Sequence, residues 1–173
     1  MAMQSNEVGN TLIAALSTLN GSRLVGVIAG QGTGSVVALH FGELTPRKKP
    51  LANLHLDRGL RTSEGSQILF IECSWRLDKN DGVLCGSQDD NAEGALMLTG
   101  LASLRDDVVA RVEVEKPGYD LTVGFASGQT LRFFCDNTDT VAATDNYSLF
   151  LRGEPTYVVG PRSVPRVEGS TSR

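Results

Sequence analysis

Apolar and polar residues alternate along much of this chain with a period of two, the pattern of strands that bury one face. The clearest run is Ser66 to Leu77, in which Leu69, Ile71, Cys73, Trp75 and Leu77 share a side. It has an echo at Gly128 to Asp136: Gln67 matches Gln129, Leu69 matches Leu131 and Cys73 matches Cys135, all at one spacing. Upstream of the echo, Val108, Ala110, Val112 and Val114 alternate with Val109, Arg111, Glu113 and Glu115. The corresponding run in the first half is Leu24, Gly26 and Ile28, alternating with Val25, Val27 and Ala29. Turn residues follow each run, Gly30 to Gly34 and Lys116 to Gly118, and then returning strands, Val36 to Phe41 and Leu121 to Phe125. This order predicts two antiparallel hairpins. A fourth apolar segment closes each half, Gly82 to Gly86 and Thr156 to Gly160, with Trp75 aligned to Tyr147 and Leu77 to Leu149.

Helical spacing appears at the start of each half. Leu12, Ile13, Leu16 and Leu19 predict a helix over 11–19, with Asn10 as N-cap and Asn20-Gly21 as its stop. Met97, Leu98, Leu101 and Leu104 predict a second, weakened by Gly100. The repeat of these signals predicts one mainly β domain over 1–173 with a minor helical part. It would be an internal duplication of helix–hairpin–strand–strand units at about 10–87 and 95–160, joined through Gln88 to Glu93. Each unit is too small to stand alone. The sheets are therefore expected to pack into one β-sandwich or barrel with two short helices at its ends, and 161–173 reads as a polar tail.

Composition narrows the function classes. The 173 residues carry 16 basic and 20 acidic side chains, a net charge of −4, which points away from sequence-independent nucleic-acid binding. No apolar run is long enough for a transmembrane helix and no signal-peptide pattern opens the chain, so a cytoplasmic location is expected. Three widely spaced cysteines, Cys73, Cys85 and Cys135, form neither a disulfide framework nor a zinc motif. Cys73 and Cys135 fall on core faces, where a free thiol acts as a small hydrophobe; a redox pair or a nucleophile is the weaker reading.

No spacing marks a catalytic residue, a metal site or a cofactor. The turn Gly30-Gln-Gly-Thr-Gly-Ser35 is followed by a strand where a phosphate loop needs a helix. The acidic stretches 88–93 and 136–139 lack calcium-loop spacing. Asp145-Asn146-Tyr147 reads as a turn bonded to local backbone. His40 and His55 have no second base or acid fixed by spacing. The pattern points away from an enzyme.

Two departures from the repeat are more informative. An insert over 42–65 separates the second and third strands of the first half and carries Arg47, Lys48, Lys49, Arg58 and Arg61. On an acidic chain such a patch would steer an acidic protein partner. The outer face of the first hairpin, read as Val25, Val27, Val36 and Ala38, is apolar where the second half carries charge. It needs cover from the insert, a helix, a partner or a second copy in a homo-oligomer. The alternative is a small-molecule or lipid-binding barrel with a pocket between the repeats near Phe70, Trp75, Phe133 and Tyr147.

The segments Asn20-Gly-Ser-Arg-Leu-Val-Gly-Val27, Ser35-Val-Val-Ala-Leu-His-Phe-Gly42, Cys73-Ser-Trp-Arg-Leu77 and Asp145-Asn-Tyr147 span most of the chain. In these the protein resembles small bacterial β-rich proteins of unassigned function, some of them immunity proteins encoded beside toxins. The resemblance implies a non-enzymatic protein that binds a cognate partner, and it carries over no site residue.

Overall fold

A computed structural model describes residues 2–169. Two antiparallel sheets face each other across one core. In chain order the elements are α1 (Ala2–Ser17), β1 (Leu24–Ile28), β2 (Val37–Pro46), α2 (Arg58–Thr62), β3 (Ser63–Ile71), β4 (Ser74–Lys79), β5 (Gly82–Gly86), α3 (Leu96–Ala102), β6 (Val109–Glu115), β7 (Asp120–Phe125), β8 (Thr130–Phe134), β9 (Tyr147–Leu151), β10 (Thr156–Val159) and β11 (Pro165–Glu168). A short 3-10 turn, Pro161–Ser163, precedes β11. The sheets have the orders β1-β2-β3-β9-β10-β11 and β5-β4-β8-β7-β6 and do not close into a barrel, so the sandwich is the expectation that fits.

The sheets follow one plan with a crossover. Hairpin β1-β2 and β3 are completed by β9 and β10, from the other end of the chain, whereas β6, β7 and β8 are completed by β4 and β5. The separate sheet expected for each half is therefore not what forms. The cause lies at Glu72-Cys73. The alternating run 66–77 is two strands, β3 and β4, joined by these two residues, which lack the Gly or Asn that a tight hairpin requires. Both of their N–H groups donate to the Asn146 carbonyl, at 2.9 and 3.0 Å, and the chain passes into the facing sheet. Alternation survives the passage, so Leu69, Ile71, Cys73, Trp75 and Leu77 all point into the core.

Both hairpins break register at the same place. In β1-β2 the shift lies between Leu24 and Gly26, and in β6-β7 between Val109 and Arg111. Such a bulge reverses which side chains face inward. Leu24 and Val109 are buried, and beyond the bulge Val27, Val112 and Val114 pack on the core. Where the strands begin, the sheets touch edge to edge through an antiparallel bridge between Arg23 and Val108. Paired backbone bonds flank it: Leu24 N–H to Asp107 O at 2.8 Å and Val109 N–H to Ser22 O at 2.9 Å.

The core joins Leu39, Phe41, Leu69, Ile71, Tyr147 and Leu149 of one sheet to Trp75, Leu77, Leu121, Val123, Leu131 and Phe133 of the other. Leu12, Leu16 and Leu19 enter it from α1 and its C-terminal turn, and Met97, Leu101 and Leu104 from α3 and the turn that follows. Helix α1 is longer than the spacing predicted, and Asn10 lies inside it rather than at its cap. Gly9 allows the close approach of Tyr119, whose hydroxyl would overlap any Cβ there. Gln67 and Gln129 play matching parts: each accepts a serine hydroxyl at 2.7 Å, from Ser22 and Ser103, and donates to the turn after a helix. One expectation changes at the C-terminal end. The tail read over 161–173 contains β11, which pairs along β10 from Thr156↔Glu168 to Val159↔Pro165. Residues 170–173 of that tail lie outside the described residues.

Candidate functional site

The side of the six-stranded sheet that points away from the core is the candidate site. Pairing places Gly26 beside His40, Ile28 beside Ala38, Phe70 beside Ser148 and Ile68 beside Phe150. Thr156 and Val158 extend the two rows onto β10. This outer face is apolar, and Ala38, His40, Ile68, Ser148, Thr156 and Val158 are buried.

The insert covers one end of it. Asp57 caps α2 by accepting the Leu60 N–H at 3.1 Å, and the helix delivers Leu60 onto the bare backbone of Gly26. Leu60 is 7% exposed. The Arg47 guanidinium donates to the Leu60 carbonyl at 2.9 Å and pairs with Glu64 at 2.7 Å. Arg61 donates to Leu51 O at 3.1 Å. Asn53 reaches Gln31 O at 3.0 Å, tying the insert to the glycine turn, which Asn91 holds from the other side through Gly30 O and Gly34 O. That turn has positive φ at Gly30, Gly32 and Gly34, and a strand, β2, follows it rather than a helix. Beneath the insert His40 is 1% exposed, and its Nδ1 accepts the Gly65 N–H at 3.1 Å.

The other end is open. Phe70, Phe150, Ser148 and Thr156 floor a cleft of about 330 Å³ rimmed by Glu72, Asp145 and Glu168. Asp145 holds Arg166 through two bonds, at 2.8 and 2.7 Å, and Arg166 also reaches Glu168 at 2.8 Å. These bonds, the Asp145 ones foremost, raise the guanidinium's proton affinity further. The proton affinity of the Glu72 carboxyl is raised from its ordinary value, first by burial and then by the Asp145 charge. The neighbouring Asn146, wholly buried, donates to Gly160 O at 2.7 Å and accepts the Asn137 N–H at 3.0 Å. It therefore fastens the crossover as well as its local turn.

The structure separates the residues singled out in the sequence. Lys48, Lys49 and Arg58 are exposed. Arg47 and Arg61 instead hold the insert down. Val27 is not on the outer face with Val25: the bulge turns it toward the core, and Gly26 and Ile28 take the outer positions. The four residues of the expected pocket do not converge. Trp75, Phe133 and Tyr147 are 3%, 2% and 0% exposed in the packed core, whereas Phe70 lies across β3 on the cleft side. The Trp75 indole N–H donates to Ser35 O at 2.8 Å and the Tyr147 hydroxyl to Tyr119 O at 2.9 Å. The cleft carboxylates, Phe150 and Leu60 were missed by sequence reasoning. The signal for Leu60 was Asp57 at an N-cap position three residues before it.

Among the described residues no group of three or more His, Cys, Asp or Glu side chains is arranged to hold a metal ion, and no helix is long and apolar enough to cross a membrane. Comparison with protein-family models, with curated proteins and with solved structures finds no match for the chain.

Proposed function

We propose that this is a non-enzymatic protein-binding module that recognises an acidic partner through the exposed part of its insert. One observation carries the reading. The latch of Arg47 and Arg61 fixes the insert on the sheet, while Lys48, Lys49 and Arg58 stay exposed and Leu54 is 76% exposed beside them in sequence. A rigidly mounted loop with basic and apolar side chains on a chain of net charge −4 suits docking to an acidic surface. An immunity-like role is one setting for such binding. The matching strand orders and matching bulges support an internal duplication in which the two copies exchange their last strands.

The test is capture from native lysate, comparing the intact protein with the combined variant Lys48→Glu, Lys49→Glu, Arg58→Glu, Leu54→Ser, followed by titration of the purified captured protein. The reading expects loss of binding in the variant at unchanged Tm. Equal affinity of the two forms overturns it. A second reading, binding of a small organic cation, rests on the cleft at Phe70 and Phe150 with its carboxylate rim. Benzamidine titration followed by NMR tests it, with shifts at Phe70 and Phe150 abolished by Glu72→Gln.

A further inference from the structure

Cys73 and Cys135 come from distant parts of the chain and meet where it changes sheets. Strands β4 and β8 pair Leu77 with Leu131, Trp75 with Phe133 and Ser74 with Phe134. The pairing ends there, and Cys73 and Cys135 are the next residues of the two chains, both on the core face that Trp75 and Phe133 share; the Cys135 thiol donates to Tyr119 O at 3.4 Å. Directly opposed residues of an antiparallel pair have Cα atoms roughly 4.5–5.5 Å apart. That separation lies within the range of about 4.4–6.8 Å that a disulfide accepts. Both backbones are anchored. The Cys73 N–H donates to Asn146 O at 3.0 Å, and the Cys135 N–H to the Asp120 carboxylate at 2.7 Å. Cys85, by contrast, lies on β5 beneath α3, close against Gly100.

We propose that Cys73 and Cys135 are a disulfide-forming pair, a covalent staple across the crossover, closed by exchange with a small disulfide such as oxidised glutathione. Cys73 is 2% exposed and Cys135 is half-buried, so Cys135 meets the reagent first. Its thiolate attacks one glutathione sulfur, forms a mixed disulfide and expels glutathione thiolate. The Cys73 thiolate then attacks the Cys135 Sγ, forms the protein disulfide and expels the second glutathione. Two protein thiols are oxidised and one small disulfide is reduced to two thiols. The neighbouring Cys73 thiol, then burial, and then the charges of Asp120 and Asp136 hold the Cys135 thiol protonated well above the usual range. The staple therefore closes slowly at neutral pH and faster as pH rises.

The experiment incubates the full native chain in graded oxidised and reduced glutathione, quenches with acid, alkylates the remaining thiols and maps the peptides. The expected product is one intramolecular Cys73–Cys135 link, formed in wild type and in Cys85→Ser, with a Tm raised by several degrees. Cys73→Ser should stop at the glutathione adduct of Cys135. Any one of three results overturns the proposal: no Cys73–Cys135 link in native wild type, whether or not adducts form, a link that includes Cys85, or a link that forms only in urea. The wild-type map needs no variant to fold.

Discussion

The outer faces of the two sheets differ although the strand plan is shared. On the five-stranded sheet most outward positions are polar, and several pair with one another. Asp78 receives Arg76 at 3.0 Å and Arg132 at 2.8 Å, Arg111 lies 3.7 Å from Glu113, and Arg76 stacks over Phe134. On the six-stranded sheet the corresponding rows hold Ile28, Ala38, Ile68, Phe70, Phe150 and Val158. A single exchange shows the logic. At matching points beyond the bulge, β1-β2 has Gly26 opposite His40 and β6-β7 has Arg111 opposite Gly124. In one hairpin the small residue makes room for Leu60 arriving from above. In the other it makes room for the stem of the neighbouring arginine. Water can finish one face, and the other needs a piece of protein over it.

The sharpest way to break the contrast is Leu60→Asp, which sets a carboxylate on the covered apolar face. It should cost about 3 kcal/mol or more, read as a lower urea midpoint at unchanged slope. Arg47→Met keeps the stem but leaves Glu64 and the Leu60 carbonyl without the guanidinium. A loss of about 1–2 kcal/mol is expected, with faster amide exchange confined to residues 47–62. On the five-stranded sheet Arg132→Gln removes a partner that is 40% exposed from an Asp78 that keeps Arg76, so the loss should stay below about 1 kcal/mol and shrink further in salt.

The smallest effect sharpens the open end of the covered face. The Glu72 carboxyl is raised in the folded protein, so the folded state holds its proton more tightly than the unfolded chain does. Its charge therefore opposes folding above the folded-state pKa, and the penalty disappears as pH falls below the ordinary carboxylate value. Glu72→Gln should stabilise the fold near neutral pH by less than about 0.5 kcal/mol after solvent screening, read as a slight rise in Tm, and not at all at pH 3. A Tm difference that persists in acid would assign the effect to packing.

The alternation of side chains exposed much of this scaffold in advance: the two hairpins, the core faces of 66–77 and 128–136, and the matching roles of Gln67 and Gln129. It also flagged the apolar outer face as needing cover. What it could not carry is anything that preserves parity or shifts it by one. Passage into the facing sheet at Glu72-Cys73 leaves every inward residue inward, so the run read as one strand. The bulge after Leu24 does the reverse and turned Val27 from an expected surface contact into a core residue. Leu60 was hidden because its helix is only five residues long, too short for a period to show. The cleft unites residues of β3, β9, β10 and β11 with the segments before β4 and β9, and distance along the chain conceals that meeting.

The exchange of strands also sets an order in time. When β3 leaves the ribosome, its free edge has no partner until β9 is made, several seconds later at roughly 5–20 residues per second. During that interval β4 and β5 wait in the same way for β8. A nascent chain thus displays an unpaired, strongly apolar strand edge, and β9-β10 of a neighbouring copy on the same message fits it as well as its own does. Polysomes crowded with this protein are where strand-swapped dimers would arise.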